Sequence, residues 1–250
     1  MSGKLWIVGL GPGAPELQTM AARTALASAS DLIGYAPYLV RAPFRPGQER
    51  HAFDNREEMM RARHALSLAA RGRRVAVVSS GDAGVFAMAS TVFEAVEQER
   101  EWRQLDIEVI PGVSAMFVAA ARLGAPLGQD FCAISLSDNL KPWDVVAERL
   151  VAAASAGFVI ALYNPRSHAR SWQLGEAFDL LRATLPPSTE VAFATALSLP
   201  QEKIATTTLE KADPTLADMR TLVLIGSVMT RRIDRPGALP WLYTPRRAGA

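Results

Sequence analysis

Short apolar runs alternate with longer amphipathic segments along the first half of the chain. The apolar runs predict β-strands, and the segments with apolar residues on one helical face predict helices. The predicted strands are 5–11, 31–35, 74–81 and 106–112, and the predicted helices are 15–30, 56–72 and 86–99. Strands that alternate with helices are typical of parallel βαβ units, so we expect residues 1–112 to form an α/β domain.

The second half begins with a segment rich in small residues and then follows a different order. Helices are predicted over 114–126, 143–157 and 174–185, and strands over 130–136, 158–165, 190–197, 203–209 and 221–227. The last three strands follow one another without a helix, which favours a partly antiparallel sheet. We therefore expect residues 113–250 to form a second α/β domain with a mixed sheet, and a ligand cleft between the two domains.

Composition and charge narrow the class of protein. The 250 residues are 49% hydrophobic and 21% charged, which is typical of a soluble globular protein. A net charge of +2 argues against a nucleic-acid partner. No stretch approaches the ~18 apolar residues of a membrane span, and the apolar run near the N-terminus is too short for a secretory signal. The single cysteine, Cys132, excludes an intrachain disulfide, so we expect a cytoplasmic protein without a membrane partner.

The segment "GLGPGAPE", residues 9–16, has the spacing of a dinucleotide-binding loop, because Gly9, Gly11 and Ala14 match its three small positions. Two residues do not fit a dinucleotide-binding loop. Pro12 removes a backbone donor where a pyrophosphate needs one. Asp31 opens the second predicted strand, whereas the ribose-binding acid closes it. A plain glycine turn is the simpler interpretation, and a nicotinamide-dependent oxidoreductase stays open as an alternative.

Two further turns follow predicted strands. "SSGDAGVF" places Asp82 at the carboxyl edge of a parallel sheet, where α/β proteins bind ligands, although Asp82 would also serve as a cap for the next helix. "VIPGVSAMF" places Ser114 in the same way, again with a cap as the alternative. Two such turns with small residues favour a pocket.

A protein-based catalytic constellation is not visible in the sequence. The histidines His51, His64 and His168 lack metal-ligand spacing, and Cys132 lies within a predicted strand, where it reads as a small core residue. We therefore expect no metal and a cofactor that supplies the chemistry.

Four segments together resemble the tetrapyrrole (precorrin) methyltransferases of corrin biosynthesis. They are "VGLGPGAPELQTMAA", "SSGDAGVFAMA", "VIPGVSAMFVAAARLGAPLGQDFCAISLSD" and "FVIALYNPRSHAR". Within that family, "GYAPYL", "LSDNLKPW", "ALYNPRS" and "YTPRR" are similar to the members that methylate C17 of precorrin-3B and contract the macrocycle. The resemblance runs from residue 3 to about 247.

The resemblance implies a homodimer of two α/β domains that binds S-adenosylmethionine in the interdomain cleft and acts on a tetrapyrrole. The cofactor-binding residues that it implies are Pro12, Gly81, Asp82, Gly84, Val85, Phe86, Ser114, Ala115, Leu162, Tyr163 and Ala196. The implied substrate-binding residues of the glycine loop are Gly11 and Gly13. Arg166, His168 and Arg170 form a basic cluster in one loop that suits the carboxylates of such a substrate, and the candidate bases for ring contraction are Asp138, His168 or a substrate carboxylate itself. The resemblance is weakest over 195–203, so the contact of Ala196 is less well defined.

Three alternatives stay open beside this hypothesis. The first is a methyltransferase of the same family that acts on another precorrin or on a cobalt-precorrin. The second is the nicotinamide-dependent oxidoreductase, and the third is a tetrapyrrole carrier without catalysis. Transient handover of the product to neighbouring pathway enzymes also stays open.

Overall fold

The computed structural model describes residues 3–167 and 169–247. The chain divides into two compact units, residues 1–115 and 116–250. Each unit is built around its own five-stranded sheet.

The sheet of the first unit is entirely parallel, as the alternation of strands and helices predicts. Its strand order is β3-β2-β4-β1-β5. The strands are β1 (Lys4–Gly9), β2 (Asp31–Tyr35), β3 (Glu49–Phe53), β4 (Arg74–Ser79) and β5 (Asp106–Ile110). The edge strand β3 is absent from the sequence prediction, because its polar residues carry no apolar run.

Helices cover both faces of this sheet. They are α1 (Met20–Ser28), the short α2 (Ala36–Leu39), α3 (Glu58–Ala70) and α4 (Met88–Gln98). Side chains alternate across β1: Leu5 and Ile7 join one apolar cluster with α3 and α4, and Trp6 and Val8 join another with α1. Burial on both faces explains why β1 reads as a continuous apolar run.

The prediction of one helix over 15–30 is wrong at its start. Pro15–Leu17 form a single 3-10 turn, and α1 begins only at Met20. Thr19 caps α1, since its Oγ1 accepts a hydrogen bond from the backbone N–H of Ala22 at 3.1 Å.

The main sheet of the second unit is mixed, which confirms that prediction. Its order is β10-β9-β11-β8-β7, with β7 parallel to β8 and the other pairs antiparallel. The strands are β7 (Phe131–Ser135), β8 (Val159–Tyr163), β9 (Glu190–Thr195), β10 (Lys203–Thr208) and β11 (Thr221–Ile225). The helices are α5 (Ala115–Leu123), α6 (Trp143–Ser155) and α7 (Gln173–Arg182). Leu150 of α6 and Phe178 of α7 are fully buried in the core.

A small third sheet, which the sequence does not predict, completes the second unit. It pairs β12 (Arg231–Arg235) with β13 (Ala238–Tyr243), and β13 with the two-residue β6 (Gly124–Ala125). None of the helices in the described part of the chain has the length and apolar character needed to cross a bilayer.

Candidate functional site

The loops that follow three adjacent strands of the first unit meet at the carboxyl edge of its sheet. Strands β4, β1 and β5 are neighbours, and they end at Ser79, Gly9 and Ile110. Beyond these ends, Gly11 and Gly81 exchange two backbone hydrogen bonds of 3.0 and 2.8 Å. The loops are therefore joined directly through their main chains.

Two glycines make this close approach possible. A Cβ on Gly112 would lie 2.2 Å from the carbonyl oxygen of Gly81, and a Cβ on Gly9 would lie 2.7 Å from the same oxygen. Both distances are shorter than real Cβ contacts, so a larger residue at either position would force the loops apart. Gly9 thus serves close contact between backbones, which agrees with the poor match of the 9–13 segment to a dinucleotide loop.

Asp82 ties the turn after β4 to the loop after β5. Its Oδ1 accepts a hydrogen bond from the N–H of Gly84 at 2.8 Å, and its Oδ2 accepts one from the N–H of Gly112 at 2.9 Å. The alternative interpretation of Asp82 as a helix cap is wrong. Helix α4 begins six residues later at Met88, whose N–H donates to the Oγ of Ser79 at 3.3 Å.

The turn ends in a strained backbone conformation. Phe86 has φ of 51°, in the left-handed region that costs a non-glycine residue about 1–2 kcal/mol. Its side chain is 49% exposed, and Val85 before it is half-buried. Strain of this kind concentrates where function requires a fixed geometry.

Ser114 and Ala115 follow the third loop. Ser114 is 2% exposed, and Ala115 is the first residue of α5. Pro12 and Gly13 are half-buried in the loop after β1. The structure therefore brings the predicted residues 11–13, 81–86 and 114–115 to the same edge of the first sheet.

In the second unit, the predicted residues Leu162 and Tyr163 end β8. Leu162 is fully buried, and the hydroxyl of Tyr163 accepts a hydrogen bond from the N–H of Met116 at 3.3 Å. The next residue, Asn164, has φ of 51°, and its Nδ2 donates to the Oγ of Ser135 at 2.9 Å. Asn164 was not predicted as a site residue, although an Asn-Pro pair after a buried strand is a turn signal.

A second strained position follows β9. Ala196 has φ of 50° and is 3% exposed, and its N–H donates to the carbonyl of Arg220 at 3.0 Å. Ser198 is also left-handed, with φ of 57°. Four non-glycine residues in the described part of the chain have positive φ: Phe86, Asn164, Ala196 and Ser198. Phe86 and Ala196 are predicted site residues, and Asn164 directly follows the predicted Tyr163.

The predicted base Asp138 lies beside a buried amide and a cationic side chain. Its Oδ2 accepts a hydrogen bond from Nε2 of Gln173, a side chain that is 1% exposed, at 3.1 Å. Burial lowers the pKa of Arg170, and the charge of Asp138 opposes that shift. Arg170 also donates to the carbonyl of Asn164 at 3.0 Å. Arg166, four positions before Arg170, is half-buried. His168 lies outside the described residues.

Two of the histidines form a cluster that the sequence did not indicate. His64 Nε2 is 3.2 Å from His51 Nδ1, and His51 Nε2 is 3.1 Å from Oδ1 of the fully buried Asp31. Asp31, Glu49 and His51 together have the spacing of a metal site. However, Arg73 forms ion pairs with Asp31 at 2.8 Å and with Glu49 at 2.9 Å. We therefore interpret the cluster as an ion-pair network. Asp31 is therefore not a ribose-binding residue.

Sequence reasoning also missed Arg41. Its Nη1 donates to the Oγ of Ser80 at 2.8 Å, and its Nη2 donates to the carbonyl of Gly11 at 2.6 Å. Arg41 therefore supports two of the three joined loops. Its partners lie 39 and 30 positions away in sequence, so no local pattern pointed to it.

Comparisons with known proteins agree with this architecture. Residues 4–213 match the family described as Tetrapyrrole (Corrin/Porphyrin) Methylases. The chain is 55% identical over 247 residues to the Precorrin-3B C(17)-methyltransferase of Sinorhizobium sp, which covers 98% of this chain and 97% of that protein. It is 47% identical over 253 residues to the cobalamin biosynthesis protein CobIJ of Mycobacterium tuberculosis, of which it spans 49%.

Among solved structures, the crystal structure of the methyltransferase CobJ superposes with a TM-score of 0.94 at 49% identity. The match covers 98% of this chain and 100% of that one. These findings confirm the predicted fold class and the resemblance drawn from the four sequence segments. The chain belongs to the tetrapyrrole (corrin/porphyrin) methylase family.

Proposed function

We propose that the chain transfers a methyl group from S-adenosylmethionine to C17 of precorrin-3B, and that ring contraction to precorrin-4 accompanies the transfer in cobalamin biosynthesis. One observation carries this proposal: the 55% identity with the Sinorhizobium protein extends over 98% of this chain and 97% of that one. A match of that extent includes both sheets and all the loops described above. A local likeness, by contrast, would support no more than a shared cofactor.

The cofactor-binding residues are proposed as the sequence resemblance assigns them. They are Pro12, Gly81, Asp82, Gly84, Val85, Phe86, Ser114, Ala115, Leu162, Tyr163 and Ala196. S-adenosylmethionine carries a zwitterionic methionine end, a sulfonium centre and an adenosine. It therefore calls for backbone hydrogen-bonding groups, small residues and apolar surface in a preformed pocket.

The residues present fit these requirements. At Gly81, which has φ of 67°, no atom lies within 4 Å of the position a Cβ would take, so there is open space beside this residue that a ligand can occupy. The half-exposed Phe86 and the half-buried Val85 offer apolar surface beside it. Asp82 keeps the turn fixed through its two backbone hydrogen bonds.

Bound S-adenosylmethionine supplies an electrophilic methyl group, so the chain needs no nucleophile of its own. Its residues hold the reactants in line and keep water out, and such alignment contributes up to ~7–11 kcal/mol in model reactions. The joined loops of the first unit suit this role, because the hydrogen bonds between Gly11 and Gly81 restrict their movement. In the second unit, hydrogen bonds from Asn164 to Ser135 and from Ala196 to Arg220 hold the corresponding loops.

Ring contraction requires removal of a proton from a hydroxyl of the macrocycle, and we propose Asp138 as the base. Gln173 holds Oδ2 of Asp138, which orients the carboxylate so that Oδ1 is the atom to receive the proton. His168, the other candidate base, lies outside the described residues.

The substrate carries several carboxylates, and we propose that Gly11, Gly13, Arg166, His168 and Arg170 contact it. The backbone N–H of Arg170 donates to the Oγ of Ser167 at 3.0 Å, and its guanidinium donates to the carbonyl of Asn164 at 3.0 Å. A guanidinium that is fixed in this way binds a carboxylate with little loss of side-chain freedom.

For partners and location, we propose a homodimer in the cytoplasm. Two aromatic side chains of the second unit, Phe117 and Phe131, are 50% and 36% exposed and lie 6.4 Å apart edge to face, which suits burial against a second copy. Handover of the product to a neighbouring enzyme is a further proposal. The relative CobIJ, of which this chain spans about half, supports it.

Calorimetry separates the proposed function from the two alternatives of other classes. We expect tight binding of S-adenosylhomocysteine and no binding of NADH. Binding of NADH alone would favour an oxidoreductase, and binding of neither would favour a tetrapyrrole carrier. Either of these results would contradict the proposal.

A further inference from the structure

The first unit contains a cavity of about 470 Å³ beside the loop after β1. We call it the Arg41 cavity, and its lining residues are Leu10, Gly13, Pro15, Gln18, Val40, Arg41, Ala42, Pro43, Phe44 and Arg50. All of them belong to the first unit. Two of these residues are arginines, and none of those named is acidic.

Arg41 is a half-buried cation without a carboxylate partner among the described residues. Its Nη atoms donate to two neutral acceptors, the Oγ of Ser80 and the carbonyl of Gly11. Its Nε is buried and has no hydrogen-bond partner in the described structure. Burial lowers the pKa of Arg41, and only the phenol of Tyr38 opposes that shift.

Arg50, which lines the same cavity, has a similar set of contacts. Its Nη1 donates to the carbonyl of Leu39 at 2.8 Å, and its Nη2 donates to the carbonyls of Ala42 and Pro43 at 3.1 and 2.7 Å. Its Nε is likewise buried and has no hydrogen-bond partner among the described residues. Its guanidinium also lies 5.7 Å from the ring centre of Phe44.

Some other arginines of the same unit are paired with carboxylates. Arg73 contacts Asp31 at 2.8 Å, and Arg63 contacts Glu99 at 3.1 Å. A partly buried charge without a counter-charge is unfavourable for a fold, and a buried N–H without an acceptor adds to that cost. Two such guanidinium groups beside one cavity are therefore better explained by an anion that arrives with a ligand.

We infer that the Arg41 cavity binds a carboxylate of a peripheral acetate or propionate group of the macrocycle, and that Arg41 is its principal partner. This inference rests on the proposed function, because it takes the substrate to be a polycarboxylate tetrapyrrole. The contact of Arg41 with Gly11 and Ser80 places the bound carboxylate next to the loops proposed for the cofactor. Arg41 thus acts as a substrate-positioning residue and takes no part in the chemical step.

A carboxylate also occurs at the methionine end of the cofactor, so the test separates the two sources. The variants are Arg41→Gln, which removes the charge, and Arg41→Lys, which keeps it but lacks the planar fork. Arg63→Gln is the matched control, because it removes a partly exposed arginine that pairs with Glu99. The first measurement is binding of S-adenosylhomocysteine, and the second is binding of precorrin-3B to the protein saturated with S-adenosylhomocysteine, where no methyl transfer occurs.

We expect Arg41→Gln to weaken precorrin-3B binding roughly 10- to 100-fold, the range for loss of a charged hydrogen bond, and to leave S-adenosylhomocysteine binding unchanged. Arg41→Lys should recover part of the loss, and Arg63→Gln should match the wild type. In steady state, KM for the macrocycle should rise while kcat changes little. If Arg41→Gln does not fold, as judged by circular dichroism, the same comparison is made with Arg41→Lys alone, which should then bind the macrocycle more weakly than the wild type.

Two results would overturn the inference. One is equal binding of precorrin-3B by the wild type and the folded Arg41 variants. The other is a loss of S-adenosylhomocysteine affinity as large as the loss for the macrocycle, which would assign the cavity to the cofactor. Failure of the wild type itself to bind precorrin-3B would instead contradict the proposed function.

Discussion

The most informative substitution in the candidate cofactor site is at Asp82. This carboxylate joins two loops, with Oδ1 2.8 Å from the N–H of Gly84 and Oδ2 2.9 Å from the N–H of Gly112. Asp82→Asn keeps one acceptor oxygen and replaces the other with an NH₂ group, which cannot accept from an N–H. Asp82→Ala removes both acceptors. The two variants therefore remove one and two of these hydrogen bonds.

The magnitude follows from the type of hydrogen bond. A hydrogen bond to a charged group contributes about 1.5–3 kcal/mol, and the half-buried Asp82 belongs at the low end of that range because water screens it. A bound cofactor must then restore the turn, so its dissociation constant should rise about tenfold for Asp82→Asn and roughly 150-fold for Asp82→Ala. The sheet itself should remain, since neither hydrogen bond belongs to a strand pair.

Calorimetry with S-adenosylhomocysteine measures both effects, and circular dichroism reports whether the fold is intact. Asp106→Asn is the matched control. It makes the same change of charge at the first residue of β5, which lies at the amino ends of the strands, away from the loops described above. Asp106 contacts Lys4 there at 3.3 Å in an exposed pair. We expect the control to bind as the wild type does. Unchanged affinity in folded Asp82→Ala would refute the assignment of this turn to the cofactor.

Two other substitutions test the packing of the loops and the half-buried histidine pair. Gly112→Ala places a Cβ about where the carbonyl of Gly81 lies, 2.2 Å away, so it should lower the free energy of unfolding by about 1–3 kcal/mol and weaken cofactor binding. The control is Gly175→Ala in α7, where the nearest atom to the new Cβ would be 3.9 Å away, and it should leave thermal stability unchanged or slightly raised. Equal effects of the two substitutions would contradict this account. Burial, with a contribution from His51, lowers the pKa of His64 below its usual 6.5. As the pH falls, the unfolded chain therefore binds a proton at this residue before the folded protein does. The free energy of unfolding should decline below about pH 6.5 for this reason. His64→Gln should flatten the decline in Tm between about pH 7.5 and 5.5, and an unchanged slope would exclude His64 as its source.

The sequence was sufficient for the architecture of the first sheet because burial on both faces leaves a clear local trace. Every residue of β1 after Lys4 is buried, and the strand appears as an unbroken apolar run. The edge strand β3 is buried on neither face to the same degree, and its "ERHAF" sequence resembles a loop. The start of α1 was misplaced because Pro15 is equally suited to a 3-10 turn, although Thr19 carried the signal of the true cap.

For the candidate site, the sequence indicated which turns matter but not how they are joined. Asp82 was expected at the strand end, yet its contact with Gly112 spans 30 positions and has no local signature. The glycines that follow β4 and β5 did carry a usable signal, because small residues at adjacent strand ends indicate close approach of backbones. Arg41 carried none, since its role depends on a cavity that forms only when the segment 36–50 packs beside the loop after β1.

The central claim is methylation of precorrin-3B at C17 with ring contraction. The most direct test is to incubate the purified protein with S-adenosylmethionine and metal-free precorrin-3B, and to read the product by mass and absorbance spectrum. The account predicts a mass gain of one methylene together with the spectrum of a contracted ring. No gain in mass, with S-adenosylhomocysteine binding intact, would contradict it, and a gain with the cobalt-bound macrocycle instead would identify the substrate of the alternative.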